Sequence, residues 1–168
     1  MATKDSTLTQ DFLNNLFEYR EGNLYWKNKL SDRSRFEIGK KAGSVCKNGY
    51  SQVFVNGKIY LLHRIIFMMH YGYMPKYIDH IDRNPSNNKI ENLREATRGQ
   101  NKINTALQKN NKSGYKNVCW HKKQKQWIVQ VKVDGKNKYF GGYYDVKVAG
   151  FVAEIMRHKY YGKFAKVF

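Results

Sequence analysis

Apolar positions along this chain fall into patterns with two periods. Leu8, Phe12, Leu13, Leu16 and Phe17 recur at helical spacing and predict a short opening helix over 8–17. Strand-like pieces punctuated by glycine follow at 23–26, 50–55 and 58–61. Between the last two, Asn56-Gly57 predicts a two-residue hairpin, because both residues tolerate the positive φ of a type I′ turn. Residues 62–72 read as a helix closed by Gly72, with Pro75 just beyond.

Farther along, 117–122 and 126–133 read as strands, and 137–140 as a third after Asp134-Gly135. In the second of these, Trp127, Val129, Val131 and Val133 share one face and leave Ile128, Gln130 and Lys132 on the other. From Asp145, a candidate N-cap, the positions Ala149, Val152, Ala153, Met156 and Tyr160 form a helical stripe that Gly162 should end. The polar run 108–114 has the composition of a linker. The expected class is α+β, with one domain over 1–107, a linker over 108–114 and a second domain over 115–168. The second would be a three-stranded antiparallel sheet with one face on a helix.

Residues 76–107 hold the candidate chemistry. Asp79-His80 lies in a short apolar strand, and Asn84, Pro85, Ser86, Asn87 and Asn88 supply a loop. A second strand is expected around Asn92-Leu93. Thr97 with Gln100 forms a capping box, so a helix should begin at about Arg98, with Ile103, Ala106 and Leu107 on its apolar face and Asn101 on the other. The order strand, loop, strand, helix lets Asp79, His80 and Asn101 converge. Hydrolysis of a phosphodiester needs an activated water and neutralisation of charge on the phosphate and the departing oxygen. A histidine titrates near neutrality and can take the water's proton. A divalent cation on a carboxylate and an amide oxygen can serve the other needs, and hard oxygen ligands favour Mg²⁺ or Mn²⁺ over zinc.

Asp79-His80, Asn92-Leu93 and Asn101, at this spacing, resemble the HNH endonucleases, in particular phage and intron-encoded homing enzymes with a ββα-metal site. The resemblance implies that His80 is the general base, that Asp79 and Asn101 hold one Mg²⁺ or Mn²⁺, and that Asn92 completes the catalytic motif by fixing its loop. Asparagine stands at the third position, where the commonest pattern has histidine; the homing branch shares this feature. His63-Arg64 resembles an element that precedes the motif, and packing or phosphate contact is the favoured reading there.

Residues 112–168 resemble the DNA-binding domain of plant ethylene-response-factor (APETALA-type) proteins, through Ser113-Gly114, Trp120-His121, Gln126-Trp127, Gly141-Gly142, Asp145, Ala149 and Gly162. That family reads DNA with the exposed sheet face. The matching positions here are Lys116, His121, Gln130, Lys132, Asn137 and Tyr139, with phosphate contact the expected role of the lysines.

Composition narrows the choice of partner. A hydrophobic share of 41% and an aromatic share of 15% fit a folded chain rather than a disordered one. The net charge of +18 favours a polyanion. Residues 106–168 carry 14 basic and 3 acidic side chains, so the excess is densest there. No apolar run approaches the roughly 20 residues of a membrane span, and residues 1–12 show no apolar signal segment. Together with the two resemblances, this makes double-stranded DNA the expected partner, bound by a monomer with neither membrane nor zinc involved, in the cytoplasm of a bacterial host if the chain is phage-encoded. Cys46 and Cys119 are isolated and are expected to be buried, reduced thiols. The alternatives are a DNA-binding regulator with a decayed nuclease site, and a non-specific nuclease. The first would need a lost ligand or base; the second has no evident use for a recognition module.

Overall fold

The computed structural model describes residues 8–30 and 34–165. Among these residues the chain mixes four α-helices with four small sheets. It divides into two compact units, residues 1–98 and 99–168, each with its own apolar cluster.

The first unit opens with α1 (Gln10–Leu16), whose N-cap Thr9 accepts the Phe12 N–H at 3.1 Å. The helix stops one residue short of its apolar pattern because Phe17 already pairs with Trp26 in the hairpin of β1 (Phe17–Arg20) and β2 (Asn23–Trp26). A second sheet joins β3 (Ser44–Val45), β4 (Ser51–Val55) and β5 (Lys58–Leu61), all antiparallel. Asn56 and Gly57 turn β4 into β5 at φ 47° and 78°, as their residue types predict. Next, α2 (Leu62–Tyr71) buries Leu62, Ile65, Ile66, Phe67 and Met69 and ends at Gly72, φ 75°, whose N–H donates to the Met68 carbonyl. Those side chains meet Leu13, Leu16, Phe17, Leu24 and Val55 in the main core.

A two-stranded ribbon is laid on that core. It consists of β6 (Ile78–His80) and β7 (Leu93–Glu95), entered through a 3-10 turn at Ile90–Asn92. Ile78 and Leu93 join the core, and the register places Asp79 opposite Arg94 and His80 opposite Leu93.

In the second unit β8 (Val118–His121), β9 (Gln126–Val133) and β10 (Lys136–Tyr143) form an antiparallel sheet in the order β10-β9-β8. Asp134 and Gly135 turn β9 into β10 at φ 50° and 78°. The helix α4 (Val146–Tyr161), capped by Asp145 accepting the Lys147 N–H at 2.7 Å, packs on one face through Ala149 and Ala153 against Val118 and Val129. Past the end of β8 the edge of β9 is completed by side chains. The Asn117 amide donates to the Gln130 carbonyl at 2.8 Å, and the Tyr161 hydroxyl bonds both the N–H and the carbonyl of Lys132 at 3.0 Å.

Three sequence expectations need correction. The helix α3 (Arg98–Ile103) is only six residues, and Ala106 and Leu107 do not extend it. Carbonyls at its end and just beyond take side-chain donors instead of another turn: Thr105 Oγ1 donates to Lys102 O at 2.9 Å, and the Lys116 ammonium donates to the Ile103 and Thr105 carbonyls. Ile128, assigned to the polar face of β9, is buried; a Cβ on the adjacent Gly142 would come within 3.0 Å of its Cδ1. Neither cysteine is buried, since Cys46 is half-buried and Cys119 is exposed.

Gly150 gives a stability prediction in which two effects oppose. A Cβ there would lie 2.4 Å from the Tyr115 ring, on the buried side of α4. Alanine gains about 1 kcal/mol of helix propensity, but overpacking typically costs about 1–3 kcal/mol. Gly150→Ala is therefore expected to lower the unfolding midpoint of the second unit, followed by Trp120 and Trp127 fluorescence. A raised midpoint would show that Tyr115 moves aside freely.

Candidate active site

Asp79 and His80 are each only 6% exposed, an unusual state for an acid and an imidazole side by side in sequence. Each is compensated locally. Arg94, directly across the ribbon, places Nε and Nη2 at 2.8 and 2.6 Å from Asp79 Oδ2, and this ion pair is itself nearly buried. Arg83 lies within electrostatic range of the same carboxylate. His80 Nε2 lies 3.1 Å from Oδ1 of Asn88, a residue 3% exposed.

The loop between the strands is tied to itself. Asn92 Nδ2 donates to Asp82 Oδ1 at 2.9 Å and to the Asn87 carbonyl at 2.8 Å, and its Oδ1 accepts the Asp82 N–H at 2.9 Å. Asp82 also accepts from the Asn84 N–H and the Asn87 amide. Burial pushes the Asp82 carboxyl up, but these bonds outweigh it and hold the group below the usual carboxylate range. Asn92 therefore sits behind the reacting groups as a brace. Ser86 Oγ donates to the Gly49 carbonyl at 2.8 Å, which pins the loop to the turn before β4.

On another side of His80 lies His63, in the first turn of α2, with ring centroids 5.0 Å apart in an edge-to-face arrangement. Tyr50 completes a three-ring cluster at 5.6 Å from His63 and 5.9 Å from His80. His63 is 5% exposed, and among the described residues its Nδ1 has no hydrogen-bond partner. Burial first, then the positive charges of His80 and Arg64, bring its pKa down to about 3, so this imidazole is neutral at ordinary pH. Arg64 donates to the Pro75 and Lys76 carbonyls at 2.9 and 3.5 Å and so fixes the approach to β6.

The ribbon brings Asp79, His80 and Asn92 together with Arg94, Asn88 and His63. Asn101 is half-buried on α3 and falls in the second unit. Arg94 and Asn88 were missed in the sequence. Arg94 was recoverable from strand pairing, since a register that sets His80 against Leu93 sets Asp79 against Arg94. Among the described residues, no group of three or more His, Cys, Asp or Glu could hold a metal. An ion bound here would rely on a carboxylate, amide oxygens, water and substrate.

In the second unit, His121, Gln130, Lys132, Asn137 and Tyr139 are all exposed. The register pairs Tyr139 with Gln130 and Asn137 with Lys132, so these four share one sheet face, away from α4. Lys116 is half-buried, with its ammonium on the Ile103 and Thr105 carbonyls rather than extended into solvent. A cavity of about 570 Å³ is lined by Lys102, Lys116, Lys132, Arg157 and neutral residues, with no carboxylate. Among the described residues, no helix is long and apolar enough to cross a membrane.

A family model described as HNH endonuclease matches residues 60–103, the stretch from β5 through β6, β7 and α3. The chain is 36% identical over 97 residues to Protein 3.8 of Escherichia phage T7, an alignment covering 56% of this chain and 79% of the relative. No solved structure matches.

Proposed function

The chain belongs to the HNH endonuclease family, and from that premise we propose that it is a site-specific DNA endonuclease of the homing type, encoded by a phage or mobile element. Its cleavage site centres on His80 as general base, with Asp79 and Asn101 holding one Mg²⁺ or Mn²⁺. The observation that carries this reading is the buried Asp79-His80 pair, each member with a dedicated partner, inside the matched segment. A buried carboxylate and imidazole are retained at such cost mainly where chemistry uses them.

The donors are a carboxylate and an amide oxygen, both hard, and they fit Mg²⁺ or Mn²⁺ better than zinc. Once bound, the ion supplies neutralisation of charge on the phosphate and on the departing 3′ oxygen. The chain's own residues do the rest. His80 takes the proton of the attacking water. Arg94 holds Asp79 in place, and Asn92 holds the loop that carries Asn88.

The second unit is the targeting module. Its resemblance to the ethylene-response-factor domain and the exposed ladder of Gln130, Lys132, Asn137 and Tyr139 with His121 support DNA contact through this sheet. A monomer acting in the host cytoplasm completes the reading.

The test is cleavage of a plasmid library with Mg²⁺ or Mn²⁺, followed by sequencing of the ends. Ends clustered at one sequence, lost on chelation, are expected; no metal-dependent cleavage would sink the nuclease reading. In the same assay a Gln130→Ala, Lys132→Ala, Tyr139→Ala triple variant should scatter the ends. Its log-affinity should fall less steeply with log salt, by about 0.9 per phosphate contact removed. An unchanged slope and an unchanged site would take targeting away from this sheet.

A further inference from the structure

We propose that Asn88 is a positioning residue for His80, fixing the imidazole with its proton on Nε2 so that Nδ1 is the nitrogen that accepts the water's proton. The inference deepens the proposed function, because it rests on reading His80 as the general base.

Asn88 is 3% exposed, with Oδ1 3.1 Å from His80 Nε2 and Nδ2 3.5 Å from the Ser86 carbonyl. Reversing the amide would set Oδ1 toward the Ser86 oxygen, two acceptors facing each other, so the 3.5 Å contact with Ser86 favours the oxygen toward His80. An oxygen at hydrogen-bond distance from Nε2 requires an N–H there. A neutral imidazole carries only one N–H, so the lone pair is on Nδ1.

The amide can enforce this because its own segment is held. Asn87 and Asn92 tie the loop to Asp82, Ser86 ties it to Gly49, and the Lys89 ammonium, one residue on, reaches Glu21 at 2.6 Å. The neutral His63 ring packs across His80 and limits rotation of its imidazole. A buried asparagine with its oxygen on an imidazole is costly to keep for packing alone, since a leucine of similar volume carries no polar group to satisfy.

The first measurement needs no substrate. Long-range ¹H–¹⁵N NMR on histidine-labelled protein at pH 8 should place the proton of the neutral His80 tautomer on Nε2. In Asn88→Leu that preference should collapse toward a mixture, and Asn88→Asp, which keeps an oxygen at the same place, should retain it. A parent His80 protonated on Nδ1 overturns the proposal outright, whatever the variants do.

The second measurement is single-turnover cleavage with Mg²⁺. Asn88→Leu should lower the rate at saturating DNA by about 10- to 100-fold while leaving the half-saturating DNA concentration unchanged. Asn88→Asp should recover to within a few-fold of the parent. A merely structural asparagine predicts otherwise: the aspartate, with a buried charge and no bond to Ser86, would be at least as damaging as leucine. That outcome, or a leucine variant as fast as the parent, overturns the assignment. If the parent cuts no DNA but shows the expected tautomer, lost in Asn88→Leu, the orientation of His80 stands and the nuclease reading falls.

Discussion

His80→Ala is expected to bind its DNA with unchanged affinity and to leave it uncut. The two effects separate because proton abstraction from water happens only on the way to the transition state, so losing it costs rate and not ground-state binding. A general base contributes about 10²- to 10⁴-fold, and single-turnover cleavage should fall by at least that lower figure. Affinity, measured by fluorescence anisotropy with Ca²⁺ in place of Mg²⁺, should stay within about two-fold, because a side chain 6% exposed offers little surface to DNA. Truncation also leaves a cavity beside His63 and Tyr50, so thermal melting must show the variant folded at the assay temperature. Residual cleavage above roughly a hundredth of the parent's would point to another base. A parallel loss of DNA binding would mean that His80 acts as a structural brace.

Much of this could be read from the sequence where the signal is local. Asn56-Gly57 and Asp134-Gly135 mark their hairpins because few other residues accept φ near 50° and 78° without strain. α2 and α4 follow from apolar spacing, and both end at the glycine where the pattern stops. The failures share a physical cause, which is that a partner distant in sequence decides the outcome. α3 ends at Ile103 because Lys116 supplies its last carbonyls with a donor, and nothing in residues 98–107 announces that. Ile128 is buried on a face that alternation assigned to solvent.

Within the site the same distinction holds. Asp79, His80 and Asn92 are visible as a spaced motif, whereas Asn88 matters only because the loop folds back over the His80 ring. Arg157 shows the converse in the second unit. It lies next to the apolar stripe of α4, yet is 4% exposed and reaches Asn117, the residue that completes the edge of β9.

His63 should make the first unit sensitive to acid. Its folded pKa is about 3, lowered by burial first and then by the positive charges of His80 and Arg64, against 6.5 for the unperturbed group. Among the described residues, the titratable side chains packed against its ring are His80 and Tyr50, and Arg64 adjoins it on α2. Because the folded value is depressed, the unfolded chain binds a proton between pH 6.5 and 3 that the folded chain refuses. Stability is therefore fully present above about pH 6.5 and is lost as pH falls toward 3. The full span corresponds to about 5 kcal/mol, of which about 2 kcal/mol is gone by pH 5. That matters against a total stability of about 5–15 kcal/mol for a typical domain. Asp82, held below its usual range, adds to the loss in the same direction at lower pH. His63→Phe removes the titration and with it the unpartnered Nδ1, whose burial typically costs about 1–3 kcal/mol. The variant should be at least as stable as the parent at pH 7 and lose far less on acidification. Hydrogen exchange at the buried Ile65 and Ile66 amides of α2 reads the first unit alone. Opening free energies that fall by about 2 kcal/mol from pH 7 to 5 in the parent, and by much less in His63→Phe, are the expected result. Parallel pH dependences in the two proteins would show that His63 takes up its proton without cost in the folded state.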